Sequence, residues 1–140
     1  MLRVVLDANG YVSAALSPAS VPGRILERFL ADRSFELVVT PAIVAEVRRA
    51  LGYPRVRARI APGLDAEEWL LDVVALADIV ADTGAATGTC RDPEDDRYIS
   101  AALEGGAGLV VSGDRDLLAV GEHEGVILLT PRAFLGLLER

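Results

Sequence analysis

LRVVLDAN, residues 2–9, and AGLVVSGDRD, residues 107–116, decide how this chain folds. Each is a short apolar run that stops on an acid: Asp7 in the first, Asp114 and then Asp116 in the second. The cores VVL and LVV do not alternate with polar residues, which suits strands buried on both faces. Residues just past the carboxyl ends of such strands gather on one edge of an α/β sheet, where these folds place their sites. Acids from distant parts of the chain then share one rim. Carboxylates that share a rim repel one another, which points to a divalent cation.

Working outward, VPGRILERFLADR (21–33) carries Ile25, Leu26, Phe29 and Leu30 at helical spacing. FELVV (35–39) reads as a second strand, and Thr40-Pro41 then opens a helix that runs to about Leu51. A short basic segment, RVRARI (55–60), precedes a helix from about Ala66 to Leu76, with Asp65 and Glu68 as a capping box. DIVAD (78–82) predicts a short strand, and the small, Gly-rich ADTGAATGTC (81–90) predicts a mobile loop. Asp92-Pro93 starts a helix to about Glu104. GLVVS is a strand, DRDLLAV a short helix, GVILL a last strand and PRAFLGLLE a closing helix. There is no internal repeat and no long linker. The alternation predicts a single domain over residues 1–140, with a central parallel sheet of four or five strands and helices on both faces.

A chain of 140 residues, half of them apolar and a quarter charged, has the composition of one soluble globular domain. No apolar run approaches a membrane span of roughly 18 residues. The N-terminus enters a strand directly, without the basic segment and cleavage site of a signal peptide. The single cysteine, Cys90, has no internal partner, so a reducing cytoplasm is the expected location. The net charge of −7 argues against a nucleic-acid partner, but acids gathered in a metal site inflate the negative count. Every basic side chain is an arginine; there is no lysine. That excludes a P-loop, a pyridoxal Schiff base, and the haloacid-dehalogenase and receiver-type phosphoryl sites, all of which use a lysine.

Each acid has an ordinary structural role to set against a functional one. Asp7 suits a turn or helix N-cap, and Asn9 could hold it or the turn after it. Glu46 falls on the flank of the stripe formed by Ile43, Val44, Val47, Ala50 and Leu51, so half-burial is expected. Asp92 is a good N-cap, and acids in a first turn suit the helix dipole. Asp95 and Asp96 both lie near the buried face of their helix, and periodicity does not choose between them. Asp114 can cap the short helix that follows it, and Ser112 can orient a water or a carboxylate. His123 and Cys90 lack the spacing of a zinc site or a nucleophile–base pair.

Together these segments resemble the PIN-domain nucleases, most of all the bacterial toxin–antitoxin toxins related to VapC. VVLDANGYVSAAL resembles the family's opening strand, usually Asp-Thr-Asn, and LVVTPAIVAEVRRAL the segment with its Glu. CRDPEDDRYISAAL and LVVSGDRDLL resemble its last two acidic segments. The resemblance implies Asp7, Glu46, Asp96 and Asp114 as core acids, with Asn9, Asp92, Ser112 and Asp116 supporting them. Ala8 stands where the family has Thr, and Gly10 where an aliphatic residue is common.

An all-carboxylate set suits Mg²⁺ or Mn²⁺, with Asp7, Asp96 and Asp114 as the expected ligands. The chemistry implied is metal-assisted phosphodiester hydrolysis by an endoribonuclease. The resemblance also implies a cognate antitoxin and a homodimer. Arg48, Arg49, Arg55, Arg57 and Arg59 form the densest basic stretch and are candidates for RNA contact. The alternatives are a PIN nuclease acting on other RNA or DNA outside toxin–antitoxin systems, and a non-catalytic module that binds metal or nucleic acid.

Overall fold

In chain order the elements are β1 (Arg3–Leu6), α1 (Ala8–Leu16), α2 (Val21–Asp32), β2 (Glu36–Val39), α3 (Pro41–Leu51), α4 (Pro54–Arg57), α5 (Ala66–Leu76), β3 (Asp78–Ile79), a 3-10 turn (Pro93–Asp95), α6 (Asp96–Gly105), β4 (Leu109–Val111), α7 (Arg115–Leu118), β5 (Glu122–His123), β6 (Val126–Leu129) and α8 (Pro131–Leu138). The structure is a computed structural model and describes residues 1–140. The helix starts are written in side chains. Asp7, Ser20, Thr40, Asp65 and Thr130 each accept a backbone N–H from the first turn of the helix they precede. Each such cap contributes about 1 kcal/mol.

The six strands lie in the order β3-β2-β1-β4-β6-β5. All neighbours are parallel except β5, which pairs antiparallel with β6. The sheet thus exceeds the four or five strands read from sequence. The extra strand is two residues of GEHEG, too short to carry a pattern. From β1 the sheet grows one way through β2 and β3 and the other way through β4 and β6. Right-handed crossovers then place helices on both faces. α6 packs across β1, β2 and β4, while α1 packs on α2 and α3, and α2 on α5 and α8. Phe29, Phe35 and Phe134 meet in the core, with ring centroids 5.4 and 5.1 Å apart.

Two further segments differ from expectation. α1 was not legible, because Ala8, Gly10, Tyr11, Ala14 and Ala15 bury most of its surface and leave little polar contrast. Gly10 has a packing reason: a Cβ there would lie 2.7 Å from Leu6 Cδ1, so α1 rests directly on β1. The Gly-rich loop is not loose. Ala86 N–H donates to Ser100 Oγ at 3.0 Å, and Gly88, Thr89 and Cys90 donate theirs to Asp96. Glycines allow a backbone to turn, but they do not make it mobile when its N–H groups find buried acceptors.

Candidate active site

Asp7 leaves β1 where that strand borders β4, at the point where the sheet reverses its direction of growth. In an open α/β sheet this is where a crevice opens at the strand carboxyl ends. The register pairs Leu6 with Val111, so the residues that follow, Asp7 and Ser112, meet side by side. Ser112 Oγ donates to Asp7 Oδ2 at 2.6 Å, and Gly10 N–H donates to Asp7 Oδ1 at 3.0 Å. Asp7 is only 4 % exposed. Burial raises its pKa; the bonds from Ser112 and Gly10 work the other way, and Asp114 and Glu46 add to the rise. The N-cap role and a place in an acidic pocket therefore coexist in one side chain.

Ser112 links two acids. Its oxygen also accepts the backbone N–H of Asp114 at 2.9 Å. Asp114 is half-buried and caps α7 through a bond from Asp116 N–H at 2.8 Å. Asp116 is exposed, and its nearest cation is Arg91, at 3.8 Å. Asn9 is exposed on the first turn of α1 and makes no side-chain hydrogen bond with Asp7.

Glu46 is half-buried on α3, as its place on the flank of the stripe requires. Its Oε2 accepts from Tyr98 Oη at 2.9 Å and from Arg97 Nη1 at 2.8 Å. Tyr98 Oη in turn accepts the N–H of Ala8, the neighbour of Asp7, at 3.2 Å. Sequence reasoning missed Tyr98 and Arg97. Their signal was their place in DDRYI on α6, the helix that also carries Asp96.

Asp95 and Asp96 turn out to be unlike neighbours. Asp96 is 7 % exposed, and both its oxygens are engaged: Gly88 N–H on Oδ2 at 2.9 Å, Thr89 and Cys90 N–H on Oδ1 at 3.1 and 2.6 Å. Burial raises its pKa, but the bonds from Cys90, Gly88 and Thr89 outweigh that and hold it below the ordinary range. The Cys90 thiol beside it is pushed up to about 12, first by burial and then by Asp96. Asp95 is half-buried and caps nothing. Its carboxyl is pushed up to about 6, first by burial, then by Asp114, Asp92, Asp7 and Glu46. Asp95 thus feels the acids of the pocket, whereas Asp96 is occupied by the loop. Asp92, exposed, accepts from Glu94 N–H at 3.0 Å as a cap.

Asp7, Glu46, Asp95 and Asp114 therefore form one acidic rim, with Asp92 and Asp116 further out. No three of its side chains are grouped as a ready-made ligand set for a metal ion. All its donors are hard oxygens, and their mutual repulsion fits a divalent cation.

Part of the basic stretch lines a separate groove, while Arg49 stands one helical turn from Glu46 on α3. Arg48 and Arg57 line a groove of 650 Å³ with Leu51, Ile60, Leu64 and Leu70, and none of the rim acids lines it. Arg48 stands 3.9 Å from Glu67; Arg49, Arg55, Arg57 and Arg59 are exposed.

Parallel α/β order, a switch-point crevice and an acid-only rim suit a hydrolase of phosphate esters. The chain belongs to the PIN-domain family, whose members are nucleases: the family's sequence pattern matches residues 3–116. Uncharacterized protein MJ1680 of Methanocaldococcus jannaschii is 24 % identical over 125 residues, covering 87 % of this chain and 77 % of that protein. The crystal structure of PAE2754 from Pyrobaculum aerophilum superposes with a TM-score of 0.65 at 18 % identity, covering 99 % of this chain and 90 % of that one. VapBC2 from Rickettsia felis, solved bound to a DNA fragment from its promoter, gives a TM-score of 0.61 at 13 % identity, over 92 % and 98 % of the two chains. These two likenesses concern the fold.

Proposed function

We propose that this PIN domain is a Mg²⁺- or Mn²⁺-dependent endoribonuclease and the toxin of a toxin–antitoxin pair. The observation that carries the catalytic part is the like-charge rim: Asp95 is pushed up to about 6 by burial and then by four other acids. Such a rim is costly to maintain unless a cation or a proton neutralises it. Asp7, Asp114 and Asp95 are the residues we assign to hold the ion, directly or through water. Asp95 replaces Asp96 in the set expected from sequence, because the oxygens of Asp96 are occupied by loop N–H groups. Asp96 then acts by fixing the loop beside the rim.

A bound divalent ion supplies a water of lowered pKa and neutralises charge at phosphorus. The chain's own groups orient and exchange protons. Ser112 and Gly10 hold Asp7, Ser112 also sets the Asp114 backbone, and Glu46 completes the shell around the ion, through water, or accepts a proton from the attacking water. Exposed Arg49, Arg55, Arg57 and Arg59, with Arg48, supply phosphate contacts. The toxin role, the antitoxin partner, the homodimer and a cytoplasmic location rest on the motif resemblance and on the lone, buried, unpaired Cys90. No helix is long and apolar enough to cross a membrane.

The test is cleavage of single-stranded RNA with Mn²⁺ or Mg²⁺, with and without chelator, beside Asp7→Asn and Asp95→Asn. Loss of cleavage with chelator and in both variants is expected. Cleavage that survives either treatment refutes the site. An inert wild-type protein that still binds RNA favours the binding module.

A further inference from the structure

Glu46 has two carboxylate oxygens, and the structure treats them differently. Oε2 takes both donors, Tyr98 Oη at 2.9 Å and Arg97 Nη1 at 2.8 Å, while Oε1 takes none. Arg97 is itself anchored, because its Nε donates to Glu94 O at 2.9 Å. A phenol has one hydrogen to give and lone pairs to receive with. Here the hydrogen goes to Glu46, and a lone pair receives Ala8 N–H at 3.2 Å. Tyr98 is 4 % exposed, so its ring cannot swing away without opening the core. Its pKa is raised far beyond neutrality, first by burial, so the hydroxyl remains a donor at any working pH.

We propose that Tyr98, with Arg97, is a positioning residue for the candidate active site: the pair hold Glu46 by Oε2, so that Glu46 presents Oε1 alone, at a fixed setting from Asp7. The inference rests on the reading of Glu46 as a site acid. The geometry is informative because one hydroxyl joins three elements. It ties α3, through Glu46, and α6, through Tyr98 itself, to the first residue of α1. Asp7 caps that same helix. A glutamate on a half-exposed helix face would otherwise sample several rotamers, and either oxygen could face the rim. With Oε2 fastened, the remaining oxygen is presented without that search, which is how outer groups orient the ligands they touch.

The experiment is a double-mutant cycle between Tyr98→Phe and Glu46→Gln, read in two ways. One is RNA cleavage with Mn²⁺, resolved into kcat and KM. The other is Mn²⁺ affinity of the RNA-free protein by titration calorimetry. Tyr98→Phe keeps the ring, so the fold is expected to survive. It lowers kcat about 10- to 100-fold and weakens Mn²⁺ binding, with KM for RNA held within about twofold. In the Glu46→Gln background it has no further effect, because the group it positions is gone. Arg97→Gln changes kcat in the same direction, and Arg97→Lys restores part of it; these variants decide the matter if Tyr98→Phe is unstable. Wild-type kcat and Mn²⁺ affinity in Tyr98→Phe, or effects that simply multiply with Glu46→Gln, overturn the inference. An impaired Glu46→Gln beside an unimpaired Tyr98→Phe does so while leaving the nuclease reading intact. If wild-type protein cleaves nothing, that reading fails, and the Mn²⁺ titration still judges the Tyr98–Glu46 coupling.

Discussion

The two ends of the sheet handle charge in opposite ways. At the amino ends of the strands, Arg3 on β1 meets Glu36 on β2 at 2.8 Å and Asp78 on β3 at 2.7 Å. The rest of its guanidinium donates to Gly105 O. Both acids there share one arginine as their partner. At the carboxyl ends, Asp95 feels the like charge of Asp114, Asp7 and Glu46, and Arg97 pairs only with Glu46. The same strands thus carry a matched edge and an unmatched one. A fold can satisfy charge when stability is all that is at stake, so the edge left unmatched is the one to which we assign the proposed cation.

The largest effect that would break this comparison lies within the pair Asp95 and Asp96. Asp95→Asn is expected to reduce cleavage by about 100-fold or more while the melting temperature holds or rises. Asp96→Asn is expected to cost about 1–3 kcal/mol of stability by leaving loop N–H groups unpaired. Cleavage and thermal melts of both variants check this, and the reverse pattern would return Asp96 to the metal-facing role.

The next effect is a pH dependence. Asp95, at about 6, and Asp7, also raised, keep their protons longer in the folded protein than in the unfolded chain. Their contribution is therefore most favourable below the ordinary carboxylate value. It declines as pH rises through about 6 for Asp95. Asp96, lowered, contributes stability above the ordinary value that is lost as pH falls through its folded one. Metal-free melts should decline from pH 4 toward 7, less steeply in Asp95→Asn, and Mn²⁺ at pH 7 should recover the difference. A flat profile in the wild type contradicts an unmatched rim.

The smallest effect belongs to the matched edge. Arg3→Met should cost about 1 kcal/mol, since its partners are partly exposed, and should leave cleavage unchanged. A large loss of activity would mean that the two edges are coupled.

Much of the fold was legible because VVL and LVV are unmixed apolar runs, each followed by an acid. The strand ends, and with them Asp7 and Asp114, could be placed from that alone. The choice between Asp95 and Asp96 could not. The 3-10 turn at Pro93–Asp95 precedes α6, so the 100° step of an α-helix does not extend back through it. The anchoring of the loop was hidden too, because its donors are backbone N–H groups that any sequence has. Tyr98 gave no signal of its own, because its ring is core and only its hydroxyl reaches the rim.

The contact between Ser112 and Asp7 spans 105 residues. Asp7 is synthesised about a hundred residues before β4, which brings Ser112 and Asp114 to it. Such long-range pairing carries a loop-closure cost that only the finished sheet repays. The growing chain therefore holds Asp7 apart from Ser112 and Asp114 until β4 has been made. Acid meets acid only once the β1–β4 pairing that forces them together has formed, so the proposed cation site is completed in one step with the sheet.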